Sequence, residues 1–232
     1  VVVLKYHEVF ENNYTRRIGF LCRLINLLED LLEESDCRDI QLDYSEDPTS
    51  VVIVEGVDCA YSILESLELY GGKYDIIASI GLGRFKLGDL YGRIIEYYRR
   101  GFHSRLLSYS VLTDETGIEY YLGVLFDGRG FLLEGGVNTI SIPRIPQCLT
   151  AHTHPSHSPL PSSRDFSAIR DLFTNGGLAH FIVTINKSIA IYRAGPLTTS
   201  DYELLINAER SSSPVEALMD LARGSRVKVC FI

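Results

Sequence analysis

No apolar run in this sequence approaches the roughly 18–20 residues that a membrane-spanning helix needs, and its opening residues carry no basic-then-apolar leader. A soluble, cytoplasmic protein with no membrane partner is expected. Cysteine is sparse and dispersed. Cys22, Cys37, Cys59, Cys148 and Cys230 are odd in number and include no Cys-x-x-Cys pair, which argues against a disulfide framework or a thiolate metal site. They read as small buried apolar residues, with Cys148, four residues before His152, at a spacing that could share its strand face. A basic stripe interleaved with aromatics is also missing. The formal net charge is -8; the first hundred residues hold 11 Lys or Arg against 18 Asp or Glu, and the remainder 11 against 12. Nucleic-acid binding is therefore disfavoured, and the acidic N-terminal half suits a basic protein partner or serves solubility alone. There is no internal repeat and no low-complexity segment. The 232 residues suffice for one large or two small domains.

What is present concentrates in fourteen residues. His152-Thr153-His154-Pro155 is followed, after seven residues, by Ser162 and then by Asp165. The preceding Gln147-Cys148-Leu149-Thr150-Ala151 reads as a short buried strand, and residues two apart in a strand point to one face, so His152 and His154 can reach one ion. Pro155, Pro159 and Pro161 force a loop. Ser162 or Ser163 then offers an N-cap to a helix with Phe166, Ile169 and Phe173 at helical spacing. Asp165 falls in its first turn, where the helix dipole favours a carboxylate that can turn back toward the imidazoles. Two imidazoles and one carboxylate leave the fourth tetrahedral position open, the ligand count of a catalytic zinc site.

Along the chain the pattern gives a strand at Val1 to Leu4 and a long helix from Tyr14 to Glu34. That helix carries two apolar stripes, one through Ile18, Leu21, Ile25 and Leu28, the other through Phe20, Leu24, Leu27 and Leu31. It is expected either to be sandwiched in the fold or to support a homodimer or hetero-complex. Strands at Ile40 to Tyr44, Val51 to Glu55 and Asp75 to Ile80, with a helix at Cys59 to Leu69, imply a βαβ unit. Gly81-Leu82-Gly83 lacks the further glycine and Lys-Ser/Thr of a phosphate loop and reads as a plain turn. A division near Gly81 to Leu90 separates an α/β region, 1–86, from a second, 87–232. The second is expected to contain a helix at Leu87 to Arg100, then strands at Arg105 to Leu112, Glu119 to Phe126, Gly130 to Leu133 and Val137 to Ile142. Beyond the motif come strands at His180 to Ile185 and Ile189 to Tyr192. A helix capped by Ser200 and Glu203 follows, then a restart at Pro214 and a closing strand at Arg226 to Ile232.

The spacing His-Ser/Thr-His, seven residues, Ser, two residues, Asp resembles without a gap the motif of the JAMM (MPN+) metallopeptidases, zinc-dependent deubiquitinating isopeptidases. The resemblance covers about Arg105 to Arg193, and the first hundred residues lie outside it. It implies an α/β (α+β) fold with a mixed sheet flanked by helices, similar to the cytidine-deaminase architecture. It also implies one Zn²⁺ per chain bound by His152, His154 and Asp165, with Ser162 supporting the oxyanion. An upstream glutamate would move a proton from the attacking water to the leaving amine. Glu119, at the mouth of a hairpin and thirty-three residues before His152, is the first choice. Glu96, in a helical run, is the alternative general base, and Glu115 and Glu134 remain open. The lack of long insertions around the motif implies a minimal, prokaryote-like member. Its substrate would be the C-terminal tail of a ubiquitin-like modifier, a small β-grasp sulfur carrier, or a short peptide. Two other classes stay in view. One is a non-catalytic MPN-type scaffold. The other is a His-x-His amidohydrolase or phosphoesterase, disfavoured because only 78 residues follow His154, with only His157 and His180 among them. His157 reads as a loop residue near substrate and His180 as a strand-start residue.

Overall fold

The structure, a computed structural model, describes residues 5–35, 40–44, 51–55, 58–71, 76–137, 145–155, 158–224 and 226–232. In chain order its elements begin with strand β1 (Lys5–Phe10), helix α1 (Asn13–Glu34), β2 (Gln41–Tyr44), β3 (Val51–Glu55), α2 (Asp58–Gly71), β4 (Ile77–Gly81) and β5 (Phe85–Lys86). Helix α3 (Leu87–Tyr98) runs through a π-helical turn, Arg99–His103, into α4 (Ser104–Thr116). Then come β6 (Ile118–Leu125), β7 (Gly130–Val137), β8 (Gln147–Thr153), α5 (Ser163–Thr174), β9 (Ala179–Val183), β10 (Ser188–Arg193), α6 (Thr199–Arg210), α7 (Pro214–Gly224) and β11 (Val227–Phe231).

The result is a mixed α/β architecture around a seven-stranded sheet of order β1-β7-β6-β8-β9-β10-β11. Its neighbours are antiparallel except β8 and β9, which run parallel with α5 as their crossover. A second sheet has the order β4-β3-β2-β5. There β3 and β4 pair in parallel, joined by α2, as the sequence pattern requires of a βαβ unit. Strand β1 and helix α1, on the N-terminal side of residue 87, belong to the larger sheet and its helical cover.

Alternation along the central strands assigns the two faces. Leu122, Val124, Leu149, Ala151, Phe181 and Val183 pack with α1 and α3, whereas Ile182, Ile189 and Ile191 pack with Phe166, Ile169 and Phe173 of α5 and with α6 and α7. Asn12 starts α1, its Oδ1 accepting from the Tyr14 and Thr15 amides. Both apolar stripes of α1 face the fold: Ile18, Leu21, Leu24, Ile25 and Leu28 are fully buried, each contributing about 1.5–3 kcal/mol of transfer free energy.

Several expectations change. The segment expected as a strand, Arg105 to Leu112, is helical, within α4. Its buried residues, Leu106, Ser110 and Thr113, recur at three- and four-residue intervals, and Gly117, at φ 71°, ends the helix by donating to Thr113 O. Gly130 to Val137 forms one strand, and the expected continuation to Ile142 lies outside the described residues, as does the expected strand at Val1 to Leu4. Helix α6 is capped two residues earlier than expected. Thr198 and Asp201 form its capping box because the buried Asp201 carboxylate also takes the Arg226 amide, so it is more useful at the helix start than Glu203.

Candidate metal centre

The central strand β8 is buried along its whole length between β6 and β9, so its polar residues face protein rather than water. His152 pairs with Tyr121 of β6 and Ile182 of β9. His154 lies just past the strand, held by its amide bond to Val183 O at 2.9 Å. The proline-containing loop then returns the chain to α5, which begins with a reciprocal box. Ser162 Oγ accepts from the Asp165 amide at 3.3 Å, and Asp165 Oδ2 accepts from the Ser162 amide at 2.6 Å. This cap aims the carboxylate at both rings, with Oδ1 3.3 Å from His152 Nε2 and Oδ2 3.4 Å from His154 Nε2. Among the described residues, His152, His154 and Asp165 are the trio whose ligand atoms all lie within 4.8 Å of one another.

These residues fit a metal cation. Neither ring nitrogen of the buried His152 makes a hydrogen bond, although Nε2 faces the Asp165 carboxylate, and a cation between the two relieves that costly arrangement. The protonation states of His152 and Asp165 suit the same purpose. Burial pushes His152 down to about 4, so it is neutral with a lone pair to offer. Burial would raise Asp165, but the two imidazoles and the Ser162 donors hold it well below the usual carboxylate range, so it is ionised. Burial works against a charged His154 too, yet the Asp165 carboxylate beside it, with Glu119 adding to the effect, leaves that ring above its usual value.

Glu119 is brought to this cluster. It is 7% exposed, and burial raises its carboxyl to about 7, with His154 pulling it down and Asp165 pushing it up. It stands opposite a bulge in β7: the pairing shifts between Ile118↔Val137 and Tyr120↔Glu134, so Glu119 alone faces Gly135 and Gly136. Thr153 fixes the start of β6 from the far face of β8. Its Oγ1 accepts the Tyr120 amide at 2.9 Å and lies 2.6 Å from Thr113 Oγ1. Glu96, on α3, is elsewhere, ion-paired with Arg93 of the same helix and with Arg100 of the π-helical turn. Glu115 is exposed on α4, and Glu134, on β7, faces His7 at 3.8 Å. His157 and Cys37 lie outside the described residues.

Cys148 does not share the face of His152. The register shift between Val124 and Leu125 turns it toward α1, where its thiol meets that of Cys22 and burial pushes it up. The sequence reading also missed a polar neighbourhood on the metal face. His180 is buried, with its ring centroid 5.0 Å from that of His152, and Thr150, Tyr121 and Gln147 continue from it. The shared face of Thr150 and His152 was available from their spacing. The adjacency of His180 depends on the β8/β9 register and was not.

Compared with protein-family models, curated proteins and solved structures, the chain matches none. The class of protein therefore rests on the site: a metal-binding trio in an α/β fold, as a metal-dependent enzyme would carry. No described helix is long and apolar enough to cross a membrane.

Proposed function

We propose that this chain is a zinc-dependent metallo(iso)peptidase of the JAMM type. It would cleave a peptide or isopeptide bond at the C-terminal tail of a ubiquitin-like modifier or a sulfur-carrier-like β-grasp protein. The observation that carries this reading is Glu119, a buried carboxyl raised to about 7 beside the trio of metal-type ligands. A carboxyl near neutrality can both accept and donate a proton at working pH.

His152, His154 and Asp165 would hold the zinc, matching the two-imidazole, one-carboxylate ligand set. The ion, when bound, supplies a Lewis acid that acidifies water and polarises a carbonyl. Glu119 takes the proton of the attacking water and delivers it to the leaving amine, its buried position keeping bulk water from competing. Ser162 Oγ accepts the Asp165 amide and donates toward the Asp165 carboxylate, and it would turn that proton to a developing oxyanion at the exposed start of α5. The N-terminal dipole of α5 favours negative charge at the same point. A flexible glycine-rich tail suits a site whose ligands stand at a strand end and a helix start rather than in a deep pocket.

Elemental analysis and turnover of tail-fusion substrates test the reading together. About one zinc per chain is expected, retained in Glu119→Gln while turnover falls about 10²- to 10⁴-fold. An active Glu119→Gln enzyme would move the proton-transfer role to another residue, and a protein that takes up no zinc would leave a binding module.

A further inference from the structure

A buried string of polar side chains leads away from the trio, and the reaction described above makes no use of it. The Tyr121 hydroxyl donates to Gln147 Oε1 at 3.0 Å. Thr150 is in hydrogen-bond contact with the Tyr121 hydroxyl and lies 2.7 Å from His180 Nδ1. The His180 ring stands 5.0 Å, centroid to centroid, from His152 at an interplanar angle of 46°, a separation at which facing ring nitrogens come within hydrogen-bonding reach. Each of these five side chains is at most 5% exposed. Register explains the alignment: Tyr121 pairs with His152, Thr150 pairs with His180, and Thr150 and His152 share a face of β8.

The string has a direction. Gln147 Oε1 carries no proton, so Tyr121 donates to it and its own oxygen accepts from Thr150. Thr150, its single proton used, accepts from His180, which must then carry its proton on Nδ1 and present a bare Nε2. The nitrogens that make no hydrogen bond are both those of His152, whose Nε2 faces the Asp165 carboxylate, and Nε2 of His180. A bond from His152 Nδ1 to His180 Nε2, with a cation at His152 Nε2, satisfies all three.

We propose that Gln147, Tyr121, Thr150 and His180 form a relay that locks His152 in the tautomer with its proton on Nδ1, making His180 the positioning residue for this metal ligand. The role in metal binding rests on the metallopeptidase reading above; the His180 tautomer does not. Nitrogen-15 NMR of the imidazoles in metal-free wild-type protein is expected to show Nδ1–H on His180; His152, whose Nε2 faces the Asp165 carboxylate at 3.3 Å, is expected to carry its proton on Nδ1 once zinc is bound. An Nε2–H form of His180 means that the string runs the other way, and it overturns the relay whether or not zinc binds. Competition of the protein against a chelator then measures its zinc affinity. His180→Phe, checked for folding by circular dichroism, should weaken zinc on the order of 10- to 100-fold. His180→Gln, whose Oε1 can accept the same proton, should restore affinity to within roughly threefold of wild type. Unchanged affinity in His180→Phe, or no recovery in His180→Gln, would refute the positioning role. Wild-type protein that takes up no zinc but shows the expected His180 tautomer would sink the peptidase reading and leave the relay standing.

Discussion

Asp165 works in two ways at once: its Oδ2 closes the α5 cap through the Ser162 amide, while both oxygens face the imidazoles. Asn in its place keeps an acceptor for the cap but loses the charge, whereas Ala loses both. Asp165→Asn should therefore weaken zinc and also lower the unfolding free energy of the metal-free protein at neutral pH, because the fold stabilises the ionised carboxylate. Asp165→Ala should weaken zinc and destabilise by about 1 kcal/mol more through the lost cap, read by urea unfolding. Glu119 gives a prediction of opposite sign. Its folded-state value, about 7, lies above the ordinary 4.5, so the favourable state is fully populated below about pH 4.5 and is lost as pH rises through 7. In metal-free protein, Glu119→Gln should match wild type near pH 4.5 and be more stable by about 1–3 kcal/mol at pH 8, checked by unfolding at both. His152, His154, Ser162 and Asp165 were legible because their spacing is local. The nearness of Glu119 to the trio was legible only as the leading choice among several glutamates, since it depends on the β6/β8 register, and His180 looked like any strand residue.

Among elements, the start of β6 beside Glu119 depends on Thr153, the residue between the two histidines. Replacing it with Val keeps the shape but leaves the buried Tyr120 amide without its acceptor. Thr153→Val should cost about 1–3 kcal/mol. It should also lower turnover by displacing Glu119 while zinc stoichiometry stays at wild type, a combination that elemental analysis and kinetics separate. Most elements could be read from periodicity and punctuation: α1 from its stripes, the βαβ unit from its alternation of patterns, α5 from its cap. The misread element was α4. Its exposed Val111 and Leu112 blur the helical stripe, and its entry through a π-helical turn containing Gly101 gives no familiar start signal.

At the scale of the molecule, sheet order was the part the sequence could not disclose. Strand β1 lies beside β7, more than a hundred residues away along the chain, and short strands carry no label for so distant a neighbour. Ligand linkage tests how the site is tied to this scaffold. Zinc at about 100 times its Kd should raise unfolding free energy by about 2.7 kcal/mol in wild type and by much less in Asp165→Ala. The parallel β8/β9 pair has a further consequence for kinetics. Its crossover makes the metal centre a clasp between a rigid strand and the first turn of α5, whose Ser162, Ser163 and Arg164 are exposed while Phe166 behind them is anchored. Fraying of that one turn releases a ligand with the sheet intact. The residence time of the ion is then set by local opening rather than global unfolding, lengthened by a firmer cap and indifferent to the depth of the core.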